Sequence, residues 1–187
     1  MEILLALGAN LPGPDDTPPD TTLRAAFDRL SDRLETPLKV SRLFRTPCFP
    51  AGSGPDYVNA AARAECDLTP EVILDRCHGI EAEFGRAREQ RWGQRTLDID
   101  LIAVGNQIAP DRATFGRWHR LSPGAQRTMA PDELILPHPR LQDRAFVLVP
   151  MAEVAPNWQH PVLGQTVAQM AAALDPTQLT EIVPLTD

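Results

Sequence analysis

Cysteine is scarce in this chain, with Cys48, Cys66 and Cys77 the only three in 187 residues. They are odd in number and lack metal-ligand spacing, which argues against a disulfide framework or a cysteine-built metal site. They read instead as small buried hydrophobes in a reducing compartment. Positive charge is also in deficit: 18 Lys and Arg stand against 25 Asp and Glu, for a formal net charge of -7. A general binder of duplex DNA, which needs many phosphate contacts, is not expected from such a balance. No run approaches the roughly 18–20 apolar residues of a membrane span. The apolar start, Ile3 to Leu7, has no basic residues before it and is broken by Asn10, so it predicts a strand and not a signal peptide. A soluble, cytoplasmic protein is the expectation. Neither a Walker-type G-x-x-x-x-G-K-[ST] run nor G-x-G-x-x-G occurs. The common phosphate-cradling loops are therefore absent, and any phosphate must be held by side chains.

What is present is an ordinary globular mixture, 43% hydrophobic and 23% charged, in a length that suits a single domain over 1–187. Ile3 to Leu7 is apolar throughout, as in a strand covered on both faces. Leu23, Ala26, Phe27, Leu30 and Leu34 recur at helical spacing. Leu38 to Arg45 reads as a strand ending at Thr46-Pro47. From Tyr57, alternation places Val58, Ala60, Ala62, Ala64 and Cys66 on one face and Tyr57, Asn59, Ala61, Arg63 and Glu65 on the other. Thr69-Pro70 caps a second helix carrying Ile73, Cys77, Ile80 and Phe84. Arg95 to Ala103 alternates again, with Leu97, Ile99, Leu101 and Ala103 opposite Thr96, Asp98, Asp100 and Ile102. Residues from about 107 to 132 show no period and predict a long loop. Further on, Leu134 to Leu136 suggests a short strand, Arg144 to Val154 and Thr166 to Leu174 suggest helices, and Leu179 to Val183 suggests a last strand. Half-polar strands with short connections favour an α+β sandwich on a mostly antiparallel sheet flanked by helices.

The chemistry concentrates at Asp98-Ile99-Asp100. Residues i and i+2 of a strand share a face about 6.5–7 Å apart, so the two carboxylates can converge. Two such charges repel unless a cation compensates them, and magnesium does so while keeping positions for phosphate oxygens. The segment just before, Gly85 to Arg95, carries Arg86, Arg88, Arg91 and Arg95 with Trp92 among them. Arginine's planar fork suits phosphate, and a metal held by two aspartates beside several arginines is what phosphoryl transfer requires. Alone, the arginines and Trp92 could serve a non-catalytic nucleotide- or RNA-binding module. The adjacent acids count against it, because a passive phosphate binder gains nothing from two carboxylates.

The stretch Arg91-Trp92-Gly93-Gln94-Arg95-Thr96-Leu97-Asp98-Ile99-Asp100 resembles the R-W-G-x-R-T-L-D-[IL]-D signature of the 6-hydroxymethyl-7,8-dihydropterin pyrophosphokinases. Leu7-Gly8-Ala9-Asn10-Leu11, Phe44-Arg45-Thr46-Pro47, Asp56-Tyr57-Val58-Asn59-Ala60, Pro137-His138 and Arg144-Ala145-Phe146-Val147-Leu148 match as well. The resemblance implies a ferredoxin-like fold and transfer of diphosphate from ATP, the co-substrate, to the hydroxymethyl group of a pterin in folate biosynthesis. It further implies two Mg2+ ions on Asp98 and Asp100, with Arg86 and Arg95 catalytic and Arg88, Trp92, His138 and Arg144 around the nucleotide. Tyr57 and Phe146 would sandwich the pterin, with Thr46, Pro47 and Asn59 lining its pocket. The partners implied are these small molecules, with neither nucleic acid nor membrane among them. Three departures bear on the nucleotide: Ala9 stands for a common serine, His78 for an amide side chain, and Glu133 for a residue that is basic in some members. The 107–132 segment is longer than in the compact bacterial form. It and Gly85 to Arg95 are the two segments expected to close over the site.

Overall fold

The computed structural model describes residues 1–48, 52, 54–85 and 96–186. Strand β1 spans Glu2–Ala9 and helix α1 Pro19–Leu34, followed by strands β2 (Lys39–Val40), β3 (Phe44–Thr46) and β4 (Tyr57–Glu65). Helix α2 (Pro70–Glu83) leads through the signature segment to β5 (Asp98–Val104), then to helices α3 (Arg112–His119), α4 (Pro123–Thr128), α5 (Ala145–Val154), α6 (Val167–Ala172) and α7 (Pro176–Thr180). Strand β6 (Val183–Pro184) closes the order. One antiparallel sheet runs β5-β1-β4-β3-β6, with β2 also beside β4. The α+β fold with a mostly antiparallel sheet is as the sequence predicts. Among the described residues no helix is long and apolar enough to cross a membrane.

Strand β1 is apolar from Ile3 to Leu7 because both of its faces are covered. Ile3, Leu5, Leu7 and Ala9 pack with Leu23, Phe27 and Leu30 of α1 and Ile73, Cys77 and Ile80 of α2. Leu4 and Ala6 pack on the other face with Val147, Leu148 and Met151 of α5 and Val167 and Met170 of α6. Helices α1 and α2 bury the residues their 3.6-residue period selects. Helix α2 starts as predicted: the Val72 N–H donates to the Thr69 hydroxyl at 3.5 Å, and proline fills the first helical position. All three cysteines are buried and none is in a disulfide.

Five expectations need correction. Leu134 to Leu136 forms no strand, only a single pairing of Leu136 with Ala109. The strand expected over Leu38 to Arg45 is divided into β2 and β3, because the Ser41 hydroxyl accepts from the Ala61 N–H at 2.9 Å and donates to the Arg42 carbonyl at 2.7 Å. A side chain thus takes a place in the ladder that backbone would hold. In β5 the alternation fails at its end: Leu5 pairs with Leu101 but Leu4 with Ala103, leaving Ile102 as an extra residue. This bulge sends Ala103 to the α5 face and Val104 to the α1/α2 face, reversing the simple period. The aperiodic 107–132 segment carries α3 and α4, started by Asp111, whose carboxylate accepts from the Ala113 and Thr114 N–H groups at 2.7 and 3.0 Å, and by Ser122 before Pro123. Helices of eight and six residues are too short to show a period, and in α3 only Thr114 and Phe115 are buried. Finally, Leu179 lies in α7 and not in a strand, since Asp175-Pro176 caps that helix and the last strand is displaced to Val183–Pro184.

Candidate active site

The site lies at the end of the sheet where β1 and β3 finish and β4 and β5 start. One row crosses it: Phe44 of β3 pairs with Asn59 of β4, Asn59 with Gly8 of β1, and Gly8 with Asp98 of β5. Directly paired residues turn their side chains to the same face, and strands lie about 4.8 Å apart, so Asn59 and Asp98 stand about 10 Å apart across Gly8. In a parallel row Ala6 lies between Ala61 and Asp100. Each aspartate therefore neighbours a residue with little or no side chain, which leaves space above the sheet for a ligand.

The residues expected around a pterin differ in how firmly they are held. Asn59 and Thr46 are both buried, and the Asn59 amide donates to the Thr46 hydroxyl at 2.7 Å. A Cβ on Gly8 would stand 2.8 Å from the Asn59 side-chain oxygen, so glycine is required for the amide to lie over β1. Tyr57, which shares the Asn59 face, is half-buried at the start of β4, and Pro47 is exposed just after β3. Phe146, in the first turn of α5, is 39% exposed, unusual for a phenylalanine. The Arg144 guanidinium lies 5.7 Å from the centre of the Phe146 ring.

The acidic side opens into a cleft of about 640 Å³ whose lining includes Asp98, Asp100, His138 and Arg144. Arg144 Nη1 is 3.5 Å from Asp100 Oδ2, a loose pairing that leaves the guanidinium able to exchange a carboxylate for a phosphate. Among the described residues no group of three His, Cys, Asp or Glu side chains converges. Two carboxylates are nonetheless a sufficient protein share for magnesium, which takes its other oxygens from water and substrate phosphates.

Strand β5 is a sheet edge, and two of its outward backbone groups are bonded by neighbours. The Ile99 N–H, between the two aspartates, donates to the buried Glu81 carboxylate at 2.7 Å, and the Ile102 carbonyl accepts from the His138 N–H at 2.8 Å. These two bonds fix the strand that presents Asp98 and Asp100. His138 Nδ1 accepts from the Arg140 N–H at 3.2 Å, so Nε2 carries the proton of the neutral ring. Burial first, then the charges of Arg144 and Arg140, hold this imidazole well below its ordinary value, so it is a neutral donor at physiological pH. Behind the cleft, burial pushes the Cys77 thiol up to about 12, with the charges of Glu81 and Asp100 adding to the effect. Cys77 is a core residue and no nucleophile.

Residues 4–156 match the model of the 7,8-dihydro-6-hydroxymethylpterin-pyrophosphokinase (HPPK) family. The chain belongs to this family. Three curated relatives carry the name 2-amino-4-hydroxy-6-hydroxymethyldihydropteridine pyrophosphokinase. That of Haemophilus influenzae is 34% identical over 173 residues, which cover 89% of this chain and 91% of the relative. That of Methylorubrum extorquens is 36% identical over 140 residues, 74% of each. That of Synechocystis is 36% identical over 130 residues, 70% of this chain and 56% of the relative, so this chain spans little more than half of its length. Among solved structures, an HPPK-DHPS chain in complex with substrates superposes with a TM-score of 0.62 at 10% identity, over 92% of this chain and 43% of that one. A Plasmodium falciparum HPPK-DHPS triple mutant gives 0.59 at 14%, over 91% and 44%. At such identities these two likenesses speak for the fold alone.

Of the residues the HPPK signature implicates, Asp98, Asp100, His138 and Arg144 come together in one cleft, while Thr46, Tyr57 and Asn59 share the adjoining sheet face. Arg86, Arg88, Trp92 and Arg95 lie outside the described residues. His78 and Glu133 do line the cleft. Ala9 does not bear on it, being buried among the α1/α2 core residues on the opposite face. Glu81, Arg140 and the wall formed by Trp118, Leu121 and Met129 were not among the residues the sequence pattern singles out. A signal for Glu81 existed, since it sits in the apolar stripe of α2 four residues after Cys77. The aperiodic segment gave none for Trp118.

Proposed function

We propose that this chain transfers the diphosphate of ATP to the hydroxymethyl oxygen of 6-hydroxymethyl-7,8-dihydropterin and releases AMP. The observation that supports the reading is the cross-strand row Asn59, Gly8, Asp98, which stands a buried side-chain amide about two strand spacings from a pair of carboxylates. Membership of the HPPK family supports it, as does the absence of any use for two acids in a passive phosphate binder.

In this reading Asn59, oriented by Thr46, reads the polar edge of the pterin, Pro47 lies at the pocket's rim, and Tyr57 and Phe146 take the two faces of the ring. Asp98 and Asp100 would hold two magnesium ions, which neutralise the charge of the phosphates being transferred. Neutral His138 donates through Nε2 and Arg144 through its fork to phosphate oxygens. Arg88 and Trp92 would hold the nucleotide, while Arg86 and Arg95 would steady the diphosphate as charge shifts. The hydroxymethyl oxygen attacks the β-phosphorus in line, the bond from that phosphorus to the α,β-bridging oxygen breaks, and AMP departs with the electron pair. No side chain is assigned to take the hydroxyl proton, in keeping with a loose transition state that needs little help from a base.

The test is AMP release from ATP and magnesium, measured with and without the pterin. The reading expects AMP only when the pterin is present. Formation of ADP, or nucleotide hydrolysis indifferent to the pterin, would overturn it.

A further inference from the structure

The cleft lined by Asp98 and Asp100 has a substantial apolar lining besides its polar groups. Leu74 of α2, Leu101 of β5 and Ile135 line it together with Trp118, Leu121 and Met129 from the 107–132 segment. Helix α3 does not need Trp118 to stay in place. Its fully buried Phe115 stacks on His119 at 5.6 Å between ring centres and meets His160 edge-on at 5.5 Å. Asp111 caps its start, and Arg112 Nη2 donates to the Pro161 carbonyl at 3.1 Å. A two-way backbone pairing of Ala109 with Leu136, at 2.9 and 3.0 Å, ties the segment's entry beside the His138 loop. With anchoring assigned to these groups, Trp118 remains half-buried at the cleft, and Met129 on the same wall is 51% exposed. An indole and a thioether lining the same cleft as Asp98, Asp100 and Arg144 suit a flat, weakly polar ligand part attached to a phosphate chain.

We propose that Trp118 is a base-binding residue, supplying an aromatic face to the purine base of an ATP whose phosphates would lie at Asp98 and Asp100. This rests on the diphosphate-transfer reading and deepens it, assigning to the 107–132 segment the grip on the base, with Leu121 and Met129 completing the wall. Inorganic tripolyphosphate separates base recognition from phosphate recognition, because it offers the same anion with no base.

The experiment compares wild type with Trp118→Ala and Trp118→Phe, each checked for an unchanged melting temperature, in steady-state assays with tripolyphosphate as competitor. Loss of one stacking face should raise KM for ATP about tenfold in Trp118→Ala. The pterin KM, kcat and the tripolyphosphate inhibition constant should stay within about twofold of wild type, since none involves the base. Trp118→Phe should recover most of the ATP affinity. An unchanged KM for ATP, or equal weakening of ATP and tripolyphosphate, would overturn the assignment while an active wild type left diphosphate transfer standing. A wild-type chain that turns over no ATP would overturn both.

Discussion

The sheet floor beside the cleft and the outer wall of the cleft are built in different ways. On the floor, Asn59, Gly8 and Asp98 are neighbours because three strands pair in register, and their side chains are placed by backbone hydrogen bonds that the whole sheet enforces. On the wall, Trp118 and Leu121 belong to or follow a helix of eight residues, held to the body through Phe115, Arg112 and one short backbone pairing. A floor residue cannot shift without disturbing the sheet, whereas the wall can change with little effect on the rest. Groups that must hold reacting atoms within a fraction of an ångström belong on the first kind of support, and groups that tune affinity can sit on the second.

That contrast breaks if the floor tolerates change. Asp98→Ala or Asp100→Ala should reduce turnover about a thousandfold or more, because in the proposed reading each removes a charge that would position the metal and diphosphate. Thermal unfolding of both variants should match wild type, since the carboxylates lie at a half-exposed strand end. Retained magnesium-dependent activity in either variant would remove the metal assignment. The next effect is Gly8→Ala. Its Cβ would press on the buried Asn59 side chain, and overpacking of this kind costs on the order of 1–3 kcal/mol. Pterin binding should weaken accordingly while binding of an ATP analogue stays nearly unchanged, as calorimetry with each ligand would show. Tyr57→Ala should cost about 1 kcal/mol of pterin binding through a lost ring face. Equal losses for both ligands would count against the clamp.

One further effect lies behind the wall and touches stability, not catalysis. His160 is fully buried, its Nδ1 accepting from the Val162 and Leu163 N–H groups at 3.1 and 3.2 Å. Burial first, then the neighbouring His119, lowers its pKa from 6.5 to about 4. Because the unfolded chain takes the proton first, this histidine contributes stability present above about pH 6.5 and lost as pH falls toward 4, at most about 3 kcal/mol. His160→Asn, which keeps an acceptor for the two N–H groups, should flatten the decline of melting temperature over that window. An unaltered pH profile would show that His160 does not titrate there.

Much of the floor was legible in the sequence. Period 2 in Tyr57 to Cys66 placed Tyr57 and Asn59 on one face, and the spacing of Asp98 and Asp100 put two carboxylates on one face of β5. Gly8 stood in a matching motif, but its clearance for Asn59 depends on a register that local pattern does not encode. The bulge at Ile102 was hidden for the same reason, since it is a property of the pairing with β1. The wall was hidden because α3 and α4 bury too little to leave a period, although Asp111 and Ser122-Pro123 were readable as helix starts. Glu81 was masked by its company: a carboxylate in an apolar stripe becomes informative only when the Ile99 N–H is seen to need it.

The central claim is that ring recognition and diphosphate transfer occur along the row from Asn59 to Asp98. A crystal structure of the chain with magnesium, a non-hydrolysable ATP analogue and 6-hydroxymethylpterin tests it most directly. The account predicts the polar edge of the pterin on Asn59, its ring between Tyr57 and Phe146, metal on Asp98 and Asp100, and the hydroxymethyl oxygen facing the β-phosphorus above Gly8. A pterin bound away from Asn59, or metal held by other residues, would contradict it.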